Sequence, residues 1–531
     1  ASSLLAYAST TAVSYFLQQA LAPEQKDPGI KAEVSFGEAV PQSFIVGRYA
    51  TAGSLVYANT WGSAGKTPNA YLVQVFCVSD LPCNALSTTI WVNNKKCTID
   101  TGTSVTQGNP VTQFNSGGTD YMWVKFLDGS QTTVNSYLSG KFGADATRPW
   151  GTDMIGRGRA LVIVTTRYNQ ELFQGLPTFV FEVDGIKLYD PRFDSTNDGT
   201  GSHRYGTDST YAFTRNPKVI EYNVARGVTY GGDWFYGGQE WPAYRFDNST
   251  WFGAMNECDE SISLKGGGTE TRYQIGAEIR CNEQPMDVIE RINASCAGRT
   301  AECGGIYKSY AGAPGASILS FTDDDIAITE ENTAAMFPGH QSWVNLIRAS
   351  FTNPNDMWQP KAVKAKTNAA FVTSDGGQKL EQTVMLTYVT SNTQAQRLAR
   401  IMLNESRRFK THVIALPPDA MKVEPLDVVS WTSTKFDYTA KKFIVGEVTR
   451  TRHGVLIVAL REIDSTDHDW TAATDEDDFS DGVYGDVEPA ADTIDITATA
   501  VSTTNNAGTA TKPAIKIAWA IDADITDVKA V

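Results

Sequence analysis

The sequence predicts a mainly β chain with α+β insertions, divided among several domains. Three observations carry that prediction. At 531 residues the chain exceeds what one hydrophobic core supports, and the usual scaling gives about three or four domains. Its apolar residues fall in short alternating runs bounded by Gly, Pro, Asn and Asp, the pattern of half-buried strands. Hydrophobic residues make up 41% and charged residues only 20%, a balance that suits a folded β-rich assembly better than a disordered chain.

The elements follow in order. Val13, Phe16, Leu17, Ala20 and Leu21 share one face at helical spacing, so residues 1–30 read as an amphipathic helix. The segment lacks a basic leader and opens on Ala1, so it reads as a processed or incomplete start rather than a signal peptide. Pro23 and Pro28 end the helix. Phe44–Tyr49, Ser54–Tyr57, Tyr71–Phe76 and Ile90–Asn93 then alternate as hairpin strands. Met286, Ile289, Ile292 and Cys296 line one face of a later helix. Ser391-Asn392-Thr393-Gln394 is a capping-box start, with Ser391 accepting from a first-turn amide. Behind it Ala395, Leu398, Ala399, Met402 and Leu403 form an apolar stripe, and Arg407, Arg408 and Lys410 close the helix where cations favour its dipole. Ten carboxylates fall between Asp467 and Asp492, with no Lys or Arg from 462 to 511; this reads as a solvated linker. Calcium is the sharper reading, but Asp475-Glu476-Asp477-Asp478 lacks the spacing and glycine of an EF-hand loop. The alternation of Ile515, Ile517, Trp519 and Ile521 resembles the opening strands of a fibronectin type III sandwich, which needs about 100 residues.

Charge and cysteines exclude several function classes. Forty-five basic against sixty acidic residues give a net charge of −15, the wrong sign for general adhesion to phosphate backbones. Solubility is the plain explanation of the acidity. The seven cysteines, at 77, 83, 97, 258, 281, 296 and 303, form no CxxC, which removes zinc-ribbon and redox-motif readings. Their odd number fits a reducing compartment, and buried free thiols are expected. Cys77 with Cys83 and Cys296 with Cys303 are the pairs close enough in sequence to meet.

Catalytic motifs fail on spacing. Gly62-Ser63-Ala64-Gly65-Lys66-Thr67 has two residues where a P-loop needs four, and Pro68 leads into a strand; a surface turn is expected. There is no G-x-S-x-G elbow, and the histidines at 203, 340, 412, 453 and 468 are dispersed. Asp323-Asp324-Asp325 suits a capped turn better than the facing acids of a glycosidase. No catalytic residue, cofactor or metal is expected. The aromatic cluster Trp234, Phe235, Tyr236, Trp241, Tyr244 and Phe246, set among Gly231, Gly232, Gly237 and Gly238, is the candidate subunit interface. A sugar platform is the alternative.

One longer pattern points to a family. Ala160–Val164 with Arg167-Tyr168 is followed by Leu172-Phe173-Gln174-Gly175-Leu176-Pro177, Phe179–Gly185, Leu188-Tyr189-Asp190-Pro191-Arg192 and Arg215-Asn216-Pro217. Trp251, Cys258-Asp259-Glu260, Gly268–Tyr273, a helix with Pro285, Met286, Val288 and Ile289, Gln394–Arg400, Leu426–Val429, Phe443–Val445, and Leu460-Arg461-Glu462 with Trp470 continue it. Their order resembles the central hub, or tip-attachment, protein of long-tailed bacteriophages, a family related to baseplate hub proteins.

The resemblance implies an N-terminal helix at 1–30, an N-terminal hub β domain at 34–148 and a hub β-barrel domain at 149–235. An α+β hub domain at 236–320 and a second hub β-barrel with its helix at 321–420 follow. A small OB-like barrel at 421–466, the acidic linker at 467–492 and a partial fibronectin type III domain at 493–531 complete it. It also implies a non-enzymatic homotrimer, assembled in the host cytoplasm, that closes the tail tube at the virion tip. Its partners would be the distal tail protein and other tail-tip proteins, the tape-measure protein, and a C-terminal fibre reaching a host surface receptor. DNA would pass through its acidic lumen without specific binding during ejection. The alternatives are the hub of a gene transfer agent or contractile injection system, and a glycan-binding or wall-degrading surface protein.

Overall fold

A computed structural model describes residues 41–479, apart from 174, 340–341 and 452–453, and the backbone strands of 496–504 and 511–519. The chain is mainly β, with 39% strand and 20% helix, as the alternation predicts. The helix expected within 1–30 lies outside the described residues, as do 480–492 of the acidic run.

Two five-stranded sheets build the first layer pair. One runs, edge to edge, through Gly276–Arg280, Ser43–Thr51, Phe179–Asp184, Ala85–Val92 and Lys95–Thr98. The other runs through Ser54–Ala64, Thr67–Ser79, Ala160–Arg167, Met122–Leu127 and Asn109–Pro110. An isolated bridge from Ile99 to Val111, just beyond the strands Lys95–Thr98 and Asn109–Pro110, links the two. The strand Ala160–Arg167 explains its own unbroken apolar run. Ala160, Val162 and Val164 face the core shared with Ile90, Phe179 and Phe181. Leu161 and Ile163 face the opposite way, onto Tyr137, Leu138 and Phe142 of the helix Ser136–Phe142. Successive side chains point to opposite faces, so a strand covered on both sides loses its alternation.

Ser43–Thr51 changes partner halfway. Residues 43–47 pair with 276–280 and residues 48–51 with 181–184. At the crossover Gly47 has φ +60°, and a Cβ there would lie 2.0 Å from the Ile275 carbonyl oxygen. Added Cβ atoms at Gly185 and Gly276 would meet the carbonyl oxygens of Ile45 and Arg48 at 2.0 and 1.8 Å. Three backbones therefore touch where only glycine fits.

Behind this seam lies a helical layer. Asn216 caps the helix Pro217–Arg226 by accepting from the amides of Lys218 and Val219, with Pro217 at the first position. Val219, Ile220 and Tyr222 pack with Trp251 and Met255 of Asn248–Asp259, with Val288, Ile289 and Ile292 of Pro285–Ser295, and with Phe44 and Ile279 of the sheet. The expected face of that last helix needs one correction. Met286 is exposed, because position 286 lies in the first turn and Val288 takes the inward place.

A six-stranded sheet runs Leu319–Thr322, Val428–Ser433, Tyr438–Arg450, Leu456–Glu462, Thr411–Leu416, Thr333–Ala335. Here the expected small barrel at 421–466 is corrected, for among the described residues no barrel closes. The strands at 428–462 do not curl onto one another. Val428–Ser433 takes a parallel partner in 319–322, and Leu456–Glu462 takes 411–416. On a separate four-stranded sheet that includes Leu346–Asn353 and Glu381–Leu386, the helix Asn392–Glu405 lays its predicted stripe, Ala395, Leu398, Ala399, Met402 and Leu403, into a core with Ile347, Phe351 and Val384. Ser391 caps it, accepting from the Gln394 amide at 3.4 Å.

Where it is described, the acidic run is only partly solvated: Asp469 and Asp478 are exposed, but other carboxylates are engaged. Asp467 is buried and accepts from Arg408 Nε and one terminal nitrogen, one on each carboxylate oxygen. Asp477 accepts from Lys364 and Lys366 at 2.6 Å each. Complementary cations, distant in sequence, tie 467–479 down. Residues 480–531 form a second unit, in which Ile496–Thr504 and Thr511–Trp519 pair antiparallel.

Candidate assembly surface and buried polar centres

The aromatic segment divides into two populations. The hairpin Val228–Tyr230 and Asp233–Tyr236 turns at Gly231 and Gly232. Its Tyr236 points inward, with the hydroxyl donating to the Glu283 carbonyl oxygen at 3.1 Å. Phe235 is half-buried, edge-on to Phe44 at 5.8 Å. Phe246 is buried against Tyr222 and Trp251. Trp241 is half-buried between Tyr307 and the Arg245 guanidinium. Only Trp234, 51% exposed, and Tyr244, 76% exposed, present large rings outward. Trp234 is held by its indole N–H, which donates to the Gly238 carbonyl oxygen at 2.8 Å. Tyr244 borders an open groove of about 620 Å³ with Asn197, Asp198 and Asn248. Four of the six rings are thus engaged in the chain's own packing, and two face outward.

Under this surface lies a polar centre that sequence reasoning missed. Lys218 and Glu221 are both 0% exposed. The Lys218 ammonium donates to Glu221 Oε2 at 2.7 Å, Asn293 Oδ1 at 2.6 Å and Ser309 Oγ at 2.9 Å. Its three protons are all placed. The other carboxylate oxygen accepts from Asn293 Nδ2 and from the Thr300 hydroxyl. Gly298 leaves the room, since a Cβ there would stand 2.3 Å from Asn293 Oδ1 and 2.7 Å from Lys218 Nζ. The one sequence signal is that Lys218 and Glu221 sit three apart on a helix otherwise wrapped by apolar neighbours.

A second centre is less complete. Glu405 meets His468 Nε2 at 3.2 Å. Burial pushes Glu405 upward, but His468, Arg461 and Arg299 together hold it below the ordinary carboxylate range. Burial lowers both arginines. Arg299 donates to the Gly312 carbonyl oxygen at 2.7 Å, yet Arg299 Nε, Arg461 Nε and His468 Nδ1 have no hydrogen-bond partner.

Among the described residues, which leave out His340 and His453, the remaining chemical candidates resolve as structure. Ala64 and Thr67 close the Gly62–Thr67 turn of a hairpin, as the spacing predicts. Thr322 and Asp325 form a reciprocal capping box around Asp323-Asp324-Asp325, and Asp323 accepts from the Trp431 indole at 3.1 Å. Arg407, expected to serve the helix dipole, instead clasps Asp375 with two bonds of 2.9 Å. His203 Nδ1 accepts from the Asp190 amide, and His412 packs among Trp431, Phe436 and Tyr438. All seven cysteines are free, and burial pushes Cys83 up to about 12. Among the described residues no cluster of His, Cys, Asp or Glu is placed to hold a metal ion, and no helix is long and apolar enough to cross a membrane.

Residues 284–447 match the family Phage-tail_3, described as "Putative phage tail protein". A stretch of 118 residues is 26% identical to the baseplate hub protein pb3 of Escherichia phage T5, covering 22% of this chain and 12% of that relative's length. The fold aligns with a chain from the virion of a native gene transfer agent particle at a TM-score of 0.53 and 13% identity, over 86% of this chain and 93% of that one. The landmarks in the sequence, the tail-protein match inside them and the shared fold together support a structural protein of a virion tail, of the phage tail hub type.

Proposed function

We propose that this chain is the central hub of a tail tip, a homotrimer that closes the tail tube, joins it to receptor-binding fibres and opens for DNA ejection, with no enzymatic activity. The observation that carries the reading is the likeness of fold to a gene-transfer-agent virion chain along nearly the whole of both chains. The order of hub landmarks supports it. Closed rings of identical subunits leave no sheet edge to aggregate, and the net charge of −15 suits a lumen through which DNA slides. Trp234 and Tyr244 are the rings available to a neighbouring subunit, anchors of the kind that dominate interface energetics. Distal tail, tape-measure and fibre proteins are the expected partners.

Cryo-electron microscopy of purified tails tests this. A threefold density capping the tube, with Trp234 or Tyr244 at subunit contacts, is the expected outcome. A monomer absent from the tail tip overturns it. The same fold likeness favours a second reading, the hub of a gene transfer agent. Sequencing the DNA of purified particles separates the two, since host fragments indicate the transfer agent and one recurrent genome a phage.

A further inference from the structure

A cavity of about 300 Å³ lies where the strands Ser43–Thr51 and Phe179–Asp184 approach the start of the helix Asn392–Glu405. Its wall includes Arg48, Glu182, Arg215, Glu270, Trp358 and Gln394. Nearly every charge there is matched. Arg48 grips Asp184 through Nε at 2.6 Å and a second nitrogen at 2.9 Å. Glu270 accepts from Ser391 at 3.0 Å and from Thr393 and Arg397 at 2.5 Å each. Glu182 accepts from the indoles of Trp91 and Trp358 at 3.3 and 3.2 Å.

Arg215 is the exception. One terminal nitrogen donates to the Thr390 hydroxyl at 3.0 Å, while its Nε is buried without a hydrogen-bond partner. A guanidinium stays charged in a protein, and a buried donor without an acceptor carries the full cost of its desolvation. The Nε itself is closed off from the cavity, but among the described residues no carboxylate lies within ion-pair distance of the Arg215 guanidinium, and an anion in the cavity it lines would supply that counter-charge. Its charge is limited by the walls, because Glu182 and Glu270 repel a dianion more than a monoanion. Its shape is limited too, since a planar carboxylate matches the guanidinium edge. The volume stands at the lower end of ligand pockets, room for a small group.

We propose that this cavity binds a carboxylate at Arg215, either of a small organic acid or of an acidic side chain from a docking peptide. The inference rests on the chain's own geometry and not on the tail reading.

Titration calorimetry on the full chain, at fixed ionic strength, tests it with acetate, a capped aspartate-containing peptide and inorganic phosphate. Saturable carboxylate binding is expected, weakened at least about tenfold in Arg215→Gln, the worth of one charge-assisted hydrogen bond, and partly kept in Arg215→Lys. Peptide binding tighter than acetate identifies a docked acidic segment, and equal affinity identifies a free acid; both support the site. No saturable binding to the unaltered chain overturns it, as does phosphate binding tighter than either carboxylate, or affinity unchanged in Arg215→Gln. Should Arg215→Gln fail to fold, Thr390→Val, which releases the guanidinium from its anchor, is expected to weaken the same binding.

Discussion

The two buried polar centres share one strand, Arg299–Cys303, and use adjacent residues of it. Thr300 turns to the Lys218–Glu221 centre and Arg299 to the Glu405 centre. Adjacent strand residues face opposite ways, so a single strand serves both. The first centre is closed, with one cation, one carboxylate and every ammonium proton placed. The second brings two arginines to one glutamate and a histidine and leaves Arg299 Nε, Arg461 Nε and His468 Nδ1 without hydrogen-bond partners. Burial is therefore a poor guide to what a polar group contributes. Completeness of its partners decides whether removing a member is costly.

The largest test breaks the closed centre. Lys218→Met leaves Glu221 buried and unpaired, and urea unfolding should show a loss of about 3–5 kcal/mol. Lys218→Met with Glu221→Leu should recover most of it, because an apolar pair no longer strands a charge. A double variant as weak as the single one would show that packing, not charge, sets the cost.

Acid titration gives the next effect, from a residue outside both centres. Burial, and then the charge of Lys410, pushes His412 down to about 4. It is neutral in the fold, whereas the unfolded chain takes up a proton below about 6.5. Its contribution is present above that value and is lost as the pH falls toward 4, about 3 kcal/mol in all. Stability measured in His412→Gln should lose this part of the acid slope.

The open centre should respond more weakly. Arg461→Met removes one of two like charges and should cost about 1 kcal/mol or less by the same urea assay. A loss equal to that of Lys218→Met would erase the contrast between the centres. The smallest effect on folding is expected at the surface. Trp234→Ser and Tyr244→Ser should change stability by less than about 0.5 kcal/mol while lowering the oligomer fraction seen by mass photometry.

What was legible in the sequence was local. The apolar run at Ala160–Val164, the Ser391 cap, the hairpin turn at Gly62–Thr67 and the capped aspartates at 323–325 each depend on neighbours a few residues away. What was not legible depends on partners far along the chain. The bond from Lys218 to Ser309 spans 91 positions, and the ion pairs of Arg407, Arg408 and Asp477 link segments with no shared motif. The small barrel expected at 421–466 does not close among the described residues for the same reason, because strands from 319–322 and 411–416 take the edges that closure needs. The aromatic cluster was legible as a cluster, but spacing alone does not separate Tyr236 and Phe246, which face the core, from Trp234 and Tyr244, which do not.

Gly47, Gly185 and Gly276 meet at the point where one strand exchanges partners. Because a carbonyl oxygen occupies the place of each missing Cβ, no compensating change elsewhere can restore a side chain there. Sequence drift is closed off at these three positions while the surrounding apolar residues remain exchangeable. In alignments of relatives too distant for ordinary matching, this trio should serve as fixed anchor columns joining three separated stretches of the chain.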